Sequence, residues 1–280
     1  MKRWDRSDIR KFAMRGTAAF NLADGDPPPL DVVGAELQGD FLLTCEHAGR
    51  AVPECLGDLG VDRGEMEGHI AYDAGAEPVS RKIAAALQAP LYIQRYSRLV
   101  IDCNRPLEAE DSIPEVSDGI EIPKNIGLTQ EERKLRYEQI HQPYHRAVAQ
   151  ALDSLAARGR KPILLSIHSF TPIMRRTGEV RECELGLLFN RDDRFARAML
   201  AEVTAAYPDV KASLNEPYNV GDLSDYTIPV HGEQRGIPHV LIEIRSDHIS
   251  DEAGQSRWAE IVSKTARAAA LKMELENNGL

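Results

Sequence analysis

Residues 41–53, FLLTCEHAGRAVP, decide the fold that this sequence predicts. Residues 41–43 form a short apolar run that is typical of a buried strand, and Ala48-Gly49 follow it like a turn. Glu46 and His47 stand between the two, where the strand would pass into a loop. Ligands bind at the carboxyl ends of strands in open α/β sheets, so we expect chemistry at this point of the chain.

Two further apolar runs end in the same way. The run PILLSIHSF (162–170) reaches His168, and HVLIEIRSDH (239–248) carries Glu243 and Arg245 at its end. Since parallel strands deliver their carboxyl ends to one edge of a sheet, three runs that each supply a His or a Glu predict a single site.

Strand-like runs alternate with helical stretches along the rest of the chain. Residues 75–88 have helical periodicity, Thr129 and Glu132 form a capping box that begins a long helix, and Gly159 marks its end. A closing helix begins near Asp251. This alternation predicts a single three-layer α/β domain over residues 40–280, with a mostly parallel mixed sheet. Two segments depart from it: we expect residues 1–39 to form an irregular, weakly packed N-terminal extension, and residues 106–128 to form a long loop.

Composition narrows the classes of function. A net charge of −10 and a pI near 5.4 argue against nucleic-acid and membrane-surface partners, which require basic patches. The four cysteines show no CxxC spacing, no apolar run approaches membrane-spanning length, and the N-terminus lacks a signal-peptide core. These features predict a cytoplasmic protein, and they leave its oligomeric state open.

Glu46, His47 and His168 together resemble a divalent-metal site. Zinc binds imidazole nitrogen and carboxylate oxygen, and catalytic zinc sites use three protein ligands. Asp73, in the phrase YDAG, is the alternative third ligand, although an Asp before a helix commonly serves as an N-cap. We rank Glu46 slightly ahead of Asp73 because it adjoins His47.

Two other groups suggest catalysis and substrate binding. Glu243 is a carboxylate within an otherwise apolar strand, which favours a general base over a buried ion pair with an arginine. Asn104 and Arg105 lie just after the run VID (100–102), and an Arg fork beside an amide is suited to a substrate carboxylate. A salt bridge between Asp102 and Arg105 that fixes the loop is the alternative.

The remaining histidines carry weaker signals. His141 and His145 have the i, i+4 spacing of a helical metal pair, but no Glu follows the first as in HExxH, so we do not place the metal there. His231 lies in a polar turn before the Glu243 strand, and it would contact substrate or cap that segment.

Seven short motifs in this order resemble the N-formylglutamate amidohydrolase family: CEHAG, YDAGA, RLVIDCNRP, PYHRAV, SIHSF, DYTIPVH and VLIEIR. The resemblance runs from about residue 40 to about residue 270. It implies a zinc-dependent amidohydrolase with a fold like that of the zinc carboxypeptidases and aspartoacylases. The implied reaction is hydrolysis of a small N-acyl amino acid, with N-formyl-L-glutamate, cleaved to formate and glutamate, as the leading substrate.

By this similarity, His47 and His168 bind Zn²⁺, Glu243 activates water, and Asn104 with Arg105 holds the substrate carboxylate. The carboxypeptidase pattern places its Glu ligand three residues after the first His, and here that position is Arg50. The carboxylate ligand would then be Glu46, Asp73 or neither. Hydrolysis of another acyl-amino acid or peptide-like amide, and metal-free binding of a carboxylate on the same scaffold, are the alternative functions.

Overall fold

A seven-stranded mixed sheet forms the centre of the protein. The structure, a computed structural model, describes residues 20–37, 39–175 and 177–277. In chain order the strands are β1 (Leu30–Val33), β2 (Phe41–Cys45), β3 (Leu91–Gln94), β4 (Val116–Ser117), β5 (Ile120–Glu121), β6 (Ile163–Phe170), β7 (Leu185–Leu188), β8 (Ala212–Leu214) and β9 (His239–Arg245). The central sheet has the order β1-β3-β2-β6-β9-β7-β8, and β4 and β5 form a separate hairpin. Only β1 with β3 and β7 with β9 pair antiparallel in the described part of this sheet, which confirms the predicted mostly parallel mixed sheet.

Helices cover both faces of the sheet. They are α1 (Arg63–Met66), α2 (Ala76–Leu87), α3 (Gln130–Arg136), α4 (Gln142–Ala157), α5 (Arg194–Ala206) and α6 (Glu252–Asn277). Side chains alternate across the strands, so Leu43 and Leu165 belong to the core on the side of α2, α5 and α6, whereas Leu42 and Leu164 belong to the core on the side of α4. The predicted three layers are therefore present. None of the helices in the described ranges is long and apolar enough to cross a bilayer.

The predicted helix from Thr129 to Gly159 is present with one irregular turn. Thr129 caps α3, and its hydroxyl accepts from the backbone N–H of Glu132 while the Glu132 carboxylate accepts from the backbone N–H of Thr129, as the capping box predicts. Gly159 has a φ of 74°, a left-handed conformation that ends α4. Between α3 and α4 lies a π-helical turn, Tyr137–His141, which the sequence pattern did not predict.

The N-terminal extension is more ordered than predicted where it can be described. Residues 1–19 lie outside the described residues, but Leu30–Val33 forms β1 and pairs with β3 at the edge of the sheet. Leu30 and Val32 pack against the α4 side of the core, and Phe20 is buried there. The expectation of an irregular segment is wrong for this strand because a four-residue run after three prolines is too short to give a periodic signal.

The segment 106–128 also has local structure. It contains the β4–β5 hairpin and two short 3-10 turns, Glu110–Ser112 and Pro123–Asn125. Asn125 is buried and accepts a hydrogen bond of 2.7 Å from the guanidinium of Arg136 on α3. This contact ties the segment to the helical layer.

Candidate functional site

The strand ends that the sequence singles out lie side by side. β2, β6 and β9 are adjacent parallel strands, with Thr44 opposite Ser166 and His168 opposite Glu243. Their carboxyl ends therefore share one edge of the sheet. The structure brings His47, His168 and Glu243 to a common cleft of about 580 Å³.

Three potential metal ligands converge at the floor of this cleft. The Nδ1 atom of His168 lies 3.1 Å from Nδ1 of His47 and 3.0 Å from Oδ2 of Asp73. Nδ1 of His47 lies 3.4 Å from the same Asp73 oxygen. All three side chains are buried. Among the described residues, these three form the group of potential ligands that lies close enough together to hold a metal ion.

Backbone contacts explain the position of Asp73. Its N–H donates to the carbonyl of His47 at 2.9 Å, and its Oδ2 accepts from the N–H of Ser169 at 3.2 Å, so the YDAG loop is attached to both histidine-bearing segments. Gly75, rather than Asp73, is the N-cap residue of α2. Arg50, which occupies the place of the carboxypeptidase Glu, lies instead over the ring of Tyr72.

A carboxylate holds the opposite ring nitrogen of each cleft histidine. Nε2 of His47 lies 2.7 Å from Oδ1 of Asp102, and Nε2 of His168 lies 3.0 Å from Oε2 of Glu46. A carboxylate accepts, so each Nε2 carries a proton and each neutral ring presents an Nδ1 lone pair. Two lone pairs and the Asp73 carboxylate then face one another within 3.4 Å. Such an arrangement is repulsive unless a cation or a proton lies between the three atoms.

Glu46 therefore faces away from the atoms that converge in the cleft. Its carboxylate contacts His168 on the ring nitrogen opposite Nδ1, and it accepts further hydrogen bonds from Ser166 and Thr227. Burial would raise the pKa of Glu46, but the hydrogen bond and charge of His168 outweigh it and lower the pKa to about 2. The geometry favours Asp73 over Glu46 as the third ligand, in contrast to the order in which the sequence ranked them.

Charges around His168 favour its protonated form. Burial alone would lower the pKa of His168, but its hydrogen bonds to Asp73 and Glu46 raise it well above the ordinary value. A ring that attracts a proton this strongly between two carboxylates also attracts a metal cation in its place.

Glu243 lines the cleft beside His168. Its side chain is almost entirely buried, and its Oε2 atom has no hydrogen-bond partner among the described residues. Burial raises the pKa of Glu243 to about 8, the charge of His168 opposes that rise, and Asp73 adds to it. The carboxyl group can therefore hold a proton near neutral pH, as an acid–base catalyst must.

Asn104 and Arg105 both line the cleft, but they differ in their hydrogen bonds. The Asn104 amide donates to Asp225 at 2.9 Å and accepts from the backbone N–H groups of Tyr226 and Thr227, so its hydrogen bonds hold the 225–227 segment. Arg105 donates through Nε to Asp111 and through Nη1 to the carbonyl of Ser224. Its Nη2 makes no hydrogen bond to the part of the chain that is described.

His231 lies apart from this cleft. It belongs to a π-helical turn, Thr227–Glu233, and its Nε2 atom lies 3.0 Å from Nδ1 of His145. His145 in turn contacts the carbonyl of Cys103 at 2.6 Å, and His141 contacts the carbonyl of Arg105 at 2.9 Å. We refer to His141, His145 and His231 as the buried histidine cluster. The cluster contacts the backbone of the 103–105 loop through His141 and His145. His231 does not line the cleft, so its position does not agree with the predicted contact with substrate.

Sequence reasoning missed three ionisable side chains of the cleft, Arg98, Asp225 and Tyr218. Arg98 donates to Asp102 at 2.7 Å and lies 3.6 Å from Asp73, so Asp102 pairs with Arg98 and His47 rather than forming the suggested salt bridge with Arg105. Asp225 and Tyr218 also line the cleft. The acid in the motif DYTIPVH was a usable signal for Asp225, but neither Arg98 nor Tyr218 stands at the end of an apolar run.

Comparison with known proteins gives a family match for this chain. The family model described as N-formylglutamate amidohydrolase matches residues 39–250, more than half of the chain. The chain belongs to the N-formylglutamate amidohydrolase family. The resemblance carried by the seven motifs is thereby confirmed, and the family places the chain among the amidohydrolases.

The chain resembles several solved structures. A gene product from Agrobacterium tumefaciens is 36% identical with a TM-score of 0.86, over 90% of this chain and 99% of that one. An N-formylglutamate amidohydrolase from Ralstonia eutropha is 18% identical with a TM-score of 0.60, over 91% of this chain and all of that one (100%). A metallo-carboxypeptidase from Burkholderia cenocepacia matches at 15% identity and a TM-score of 0.36, over 88% of this chain and 64% of that one. No curated protein matches the chain.

Proposed function

We propose that this member of the N-formylglutamate amidohydrolase family is a zinc-dependent enzyme that hydrolyses the amide bond of a small N-acyl amino acid. N-formyl-L-glutamate, cleaved to formate and glutamate, is the leading substrate. The observation that carries the proposal is the convergence of His47, Asp73 and His168 beside the buried carboxyl of Glu243. The family name and the arginine at the cleft wall support the substrate class.

The residues at the cleft floor fit a zinc ion. Two imidazole nitrogens and one carboxylate oxygen are the donor set of catalytic zinc sites, and here the three atoms lie within 3.4 Å of one another. We assign His47, His168 and Asp73 as the ligands. Bound zinc supplies Lewis-acid chemistry: it polarises a carbonyl, lowers the pKa of water and stabilises nearby negative charge.

Glu243 performs the proton transfers in this proposal. It takes a proton from the attacking water and passes it to the nitrogen of the leaving amine, so that the amine leaves as a neutral group. Its Oε2 atom has no hydrogen-bond partner among the described residues, so it can accept the proton without breaking an existing hydrogen bond. Burial raises the pKa of Glu243 and so favours its protonated form between the two proton transfers.

The two cleft arginines have different roles. Arg98 lies beside Asp73, and its positive charge favours the oxyanion that develops when water adds to the carbonyl. Arg105 is hydrogen-bonded to Asp111 and Ser224 rather than to the proposed metal ligands. It binds the substrate carboxylate through its remaining N–H groups.

Asp225 favours a second candidate, a related metallohydrolase acting on another acyl-amino acid. Its carboxyl lies in the same cleft as Arg105, and it is already held by Asn104 and Ser224. An ionised Asp225 would repel a second substrate carboxylate, which favours a neutral or basic side chain on the substrate.

Zinc analysis of the purified protein, together with hydrolysis of an acyl-amino-acid panel, tests the proposal. We expect one zinc per chain and amide hydrolysis that requires it. The panel should hold the formyl group constant while the amino acid varies among Glu, Gln, Leu and Lys, and then hold Glu constant while the acyl group varies. Highest activity on a non-acidic amino acid would favour the second candidate. Carboxylate binding without zinc and without hydrolysis would identify a binding protein and overturn the proposal.

A further inference from the structure

We infer that Glu46 is a positioning residue that fixes the tautomer and orientation of His168, and thereby sets the affinity of the site for its metal. This inference rests on the proposed zinc site. It assigns to the Glu of CEHAG a role distinct from metal ligation, which the sequence had suggested for it.

The strand register brings the two side chains together. Thr44 on β2 is the partner of Ser166 on β6, and Glu46 and His168 each lie two residues farther along. Side chains two residues apart lie on the same face of a sheet, so Ser166, His168 and Glu46 meet on that face. The dipeptide Glu46-His47 therefore supplies one ligand and, in the residue before it, the carboxylate that holds the other histidine.

The hydrogen bonds around Glu46 determine which nitrogen of His168 carries the proton. Ser166 donates its hydroxyl to Oε2 of Glu46 at 2.8 Å, and the oxygen of Ser166 lies 3.0 Å from Nε2 of His168. The serine proton is directed to the carboxylate, so both oxygens near Nε2 act as acceptors there. Nε2 of His168 must therefore donate, which leaves the lone pair of the neutral ring on Nδ1.

Other donors satisfy Oε1 of Glu46, the oxygen that does not contact His168. Thr227 donates to Oε1 at 2.7 Å, and the hydroxyl of Tyr144 lies 3.5 Å from the same oxygen. Glu46 is almost completely buried, and these donors offset the cost of burying its charge. An ionised acceptor on Nε2 makes the opposite nitrogen of an imidazole a stronger base and a stronger metal ligand.

Four variants separate positioning from simple stability. Glu46→Gln keeps the volume and an acceptor oxygen but removes the charge, and we expect zinc affinity to fall about tenfold to hundredfold. Glu46→Ala removes the acceptor as well and should cost at least as much. Thr227→Val removes the 2.7 Å donor to Oε1 of Glu46, and Tyr144→Phe removes a hydroxyl that lies 3.5 Å from the same oxygen and 3.2 Å from the carbonyl of Tyr92. Both are matched controls because neither is hydrogen-bonded to His168. We expect both controls to lower the thermal midpoint and to leave zinc affinity nearly unchanged, because neither changes the acceptor on Nε2 of His168.

Nuclear magnetic resonance of ¹⁵N-histidine-labelled, zinc-loaded protein supplies a second readout. The wild-type protein should show a protected N–H proton on Nε2 of His168, and Glu46→Ala should lose that protection while both controls retain it. The inference would be overturned if the wild type binds zinc, Glu46→Gln binds it with unchanged affinity, and Glu46→Ala leaves the His168 signal unchanged. A second outcome would also overturn the inference: a Glu46 variant loses zinc, and zinc does not shift the His168 ring resonances of the wild type. Glu46, rather than His168, would then be the ligand.

The same data distinguish this inference from the proposed function. A wild type that binds zinc in a Glu46-dependent way but hydrolyses nothing in the panel would support the positioning role and refute the proposed activity. A wild type that binds no zinc would overturn both.

Discussion

The cleft histidines and the buried histidine cluster are the same residue type in opposite electrostatic settings. His168 lies between two carboxylates, and although burial alone would lower its pKa, hydrogen bonds to Asp73 and Glu46 raise it well above the ordinary value. His141 and His231 have no carboxylate at hydrogen-bond distance among the described residues, and burial lowers the pKa of each to about 4. A buried histidine thus becomes a cation-binding group only where acids hold it.

The anchors of the two groups differ in the same sense. The cleft histidines are held at Nε2 by ionised side chains, Asp102 and Glu46, whereas His141 and His145 are held by neutral backbone carbonyls. A carbonyl orients a ring but adds no charge to compensate a cation. This contrast predicts that substitutions in the cleft change metal binding, and that substitutions in the buried cluster change stability.

Replacement of a cleft histidine should have the largest effect. His168→Ala removes one of three proposed ligands, and we expect loss of stoichiometric zinc and of measurable hydrolysis, with a folded chain by circular dichroism. His145→Ala is the matched comparison, because it removes a buried histidine that is anchored by a carbonyl. It should retain zinc and lower the thermal midpoint. Full zinc content in His168→Ala, or equal zinc loss in both variants, would break the comparison.

Glu243→Gln comes next in size. The amide keeps the shape of the side chain but cannot accept the proton, so turnover should fall by a factor of about a hundred to ten thousand. Zinc content and thermal stability should remain those of the wild type, as measured by metal analysis and calorimetry. Near-normal turnover would refute the proton transfer. Loss of zinc would instead place Glu243 among the ligands and require another base.

The sequence predicted the groups that strands deliver, but it ranked Asp73 second as a ligand and missed Arg98. His47, His168 and Glu243 stand at the ends of apolar runs, and the parallel sheet brings such ends to one edge. Asp73 and Arg98 lie in loops, and hydrophobic periodicity does not predict which part of the fold a loop residue will contact. The ranking of Glu46 over Asp73 followed adjacency in the chain, yet two consecutive residues point in different directions.

Substitution of Arg105 should have a smaller effect that depends on the substrate. Loss of a charge-assisted hydrogen bond costs about 1.5–3 kcal/mol, so Arg105→Ala should lower kcat/KM by about tenfold to a hundredfold for a substrate with a free carboxylate. An analogue with that carboxylate amidated should be affected much less. Steady-state kinetics on the two substrates measures the difference. Equal losses on both would mean that Arg105, with its bonds to Asp111 and Ser224, only supports the loop.

The last expected effect concerns the acid stability of the buried histidine cluster. The pKa of His141 is about 4 in the folded protein because of burial, against an ordinary value of 6.5. The unfolded chain therefore binds a proton at a higher pH than the folded chain does. The stability linked to this group is fully present above about pH 6.5 and is lost as the pH falls towards 4, at up to about 1.4 kcal/mol per pH unit.

His141→Gln removes this titration while keeping a side chain that can donate to the carbonyl of Arg105. Urea unfolding of both proteins at several pH values between 7.5 and 4.5, with a chelator present, measures the free energy of unfolding without a contribution from zinc release. The wild type should lose stability with acid more steeply than the variant, since every other titrating group is common to both. Parallel curves would mean that His141 is protonated in the folded protein, and the electrostatic contrast between the two histidine groups would then not hold.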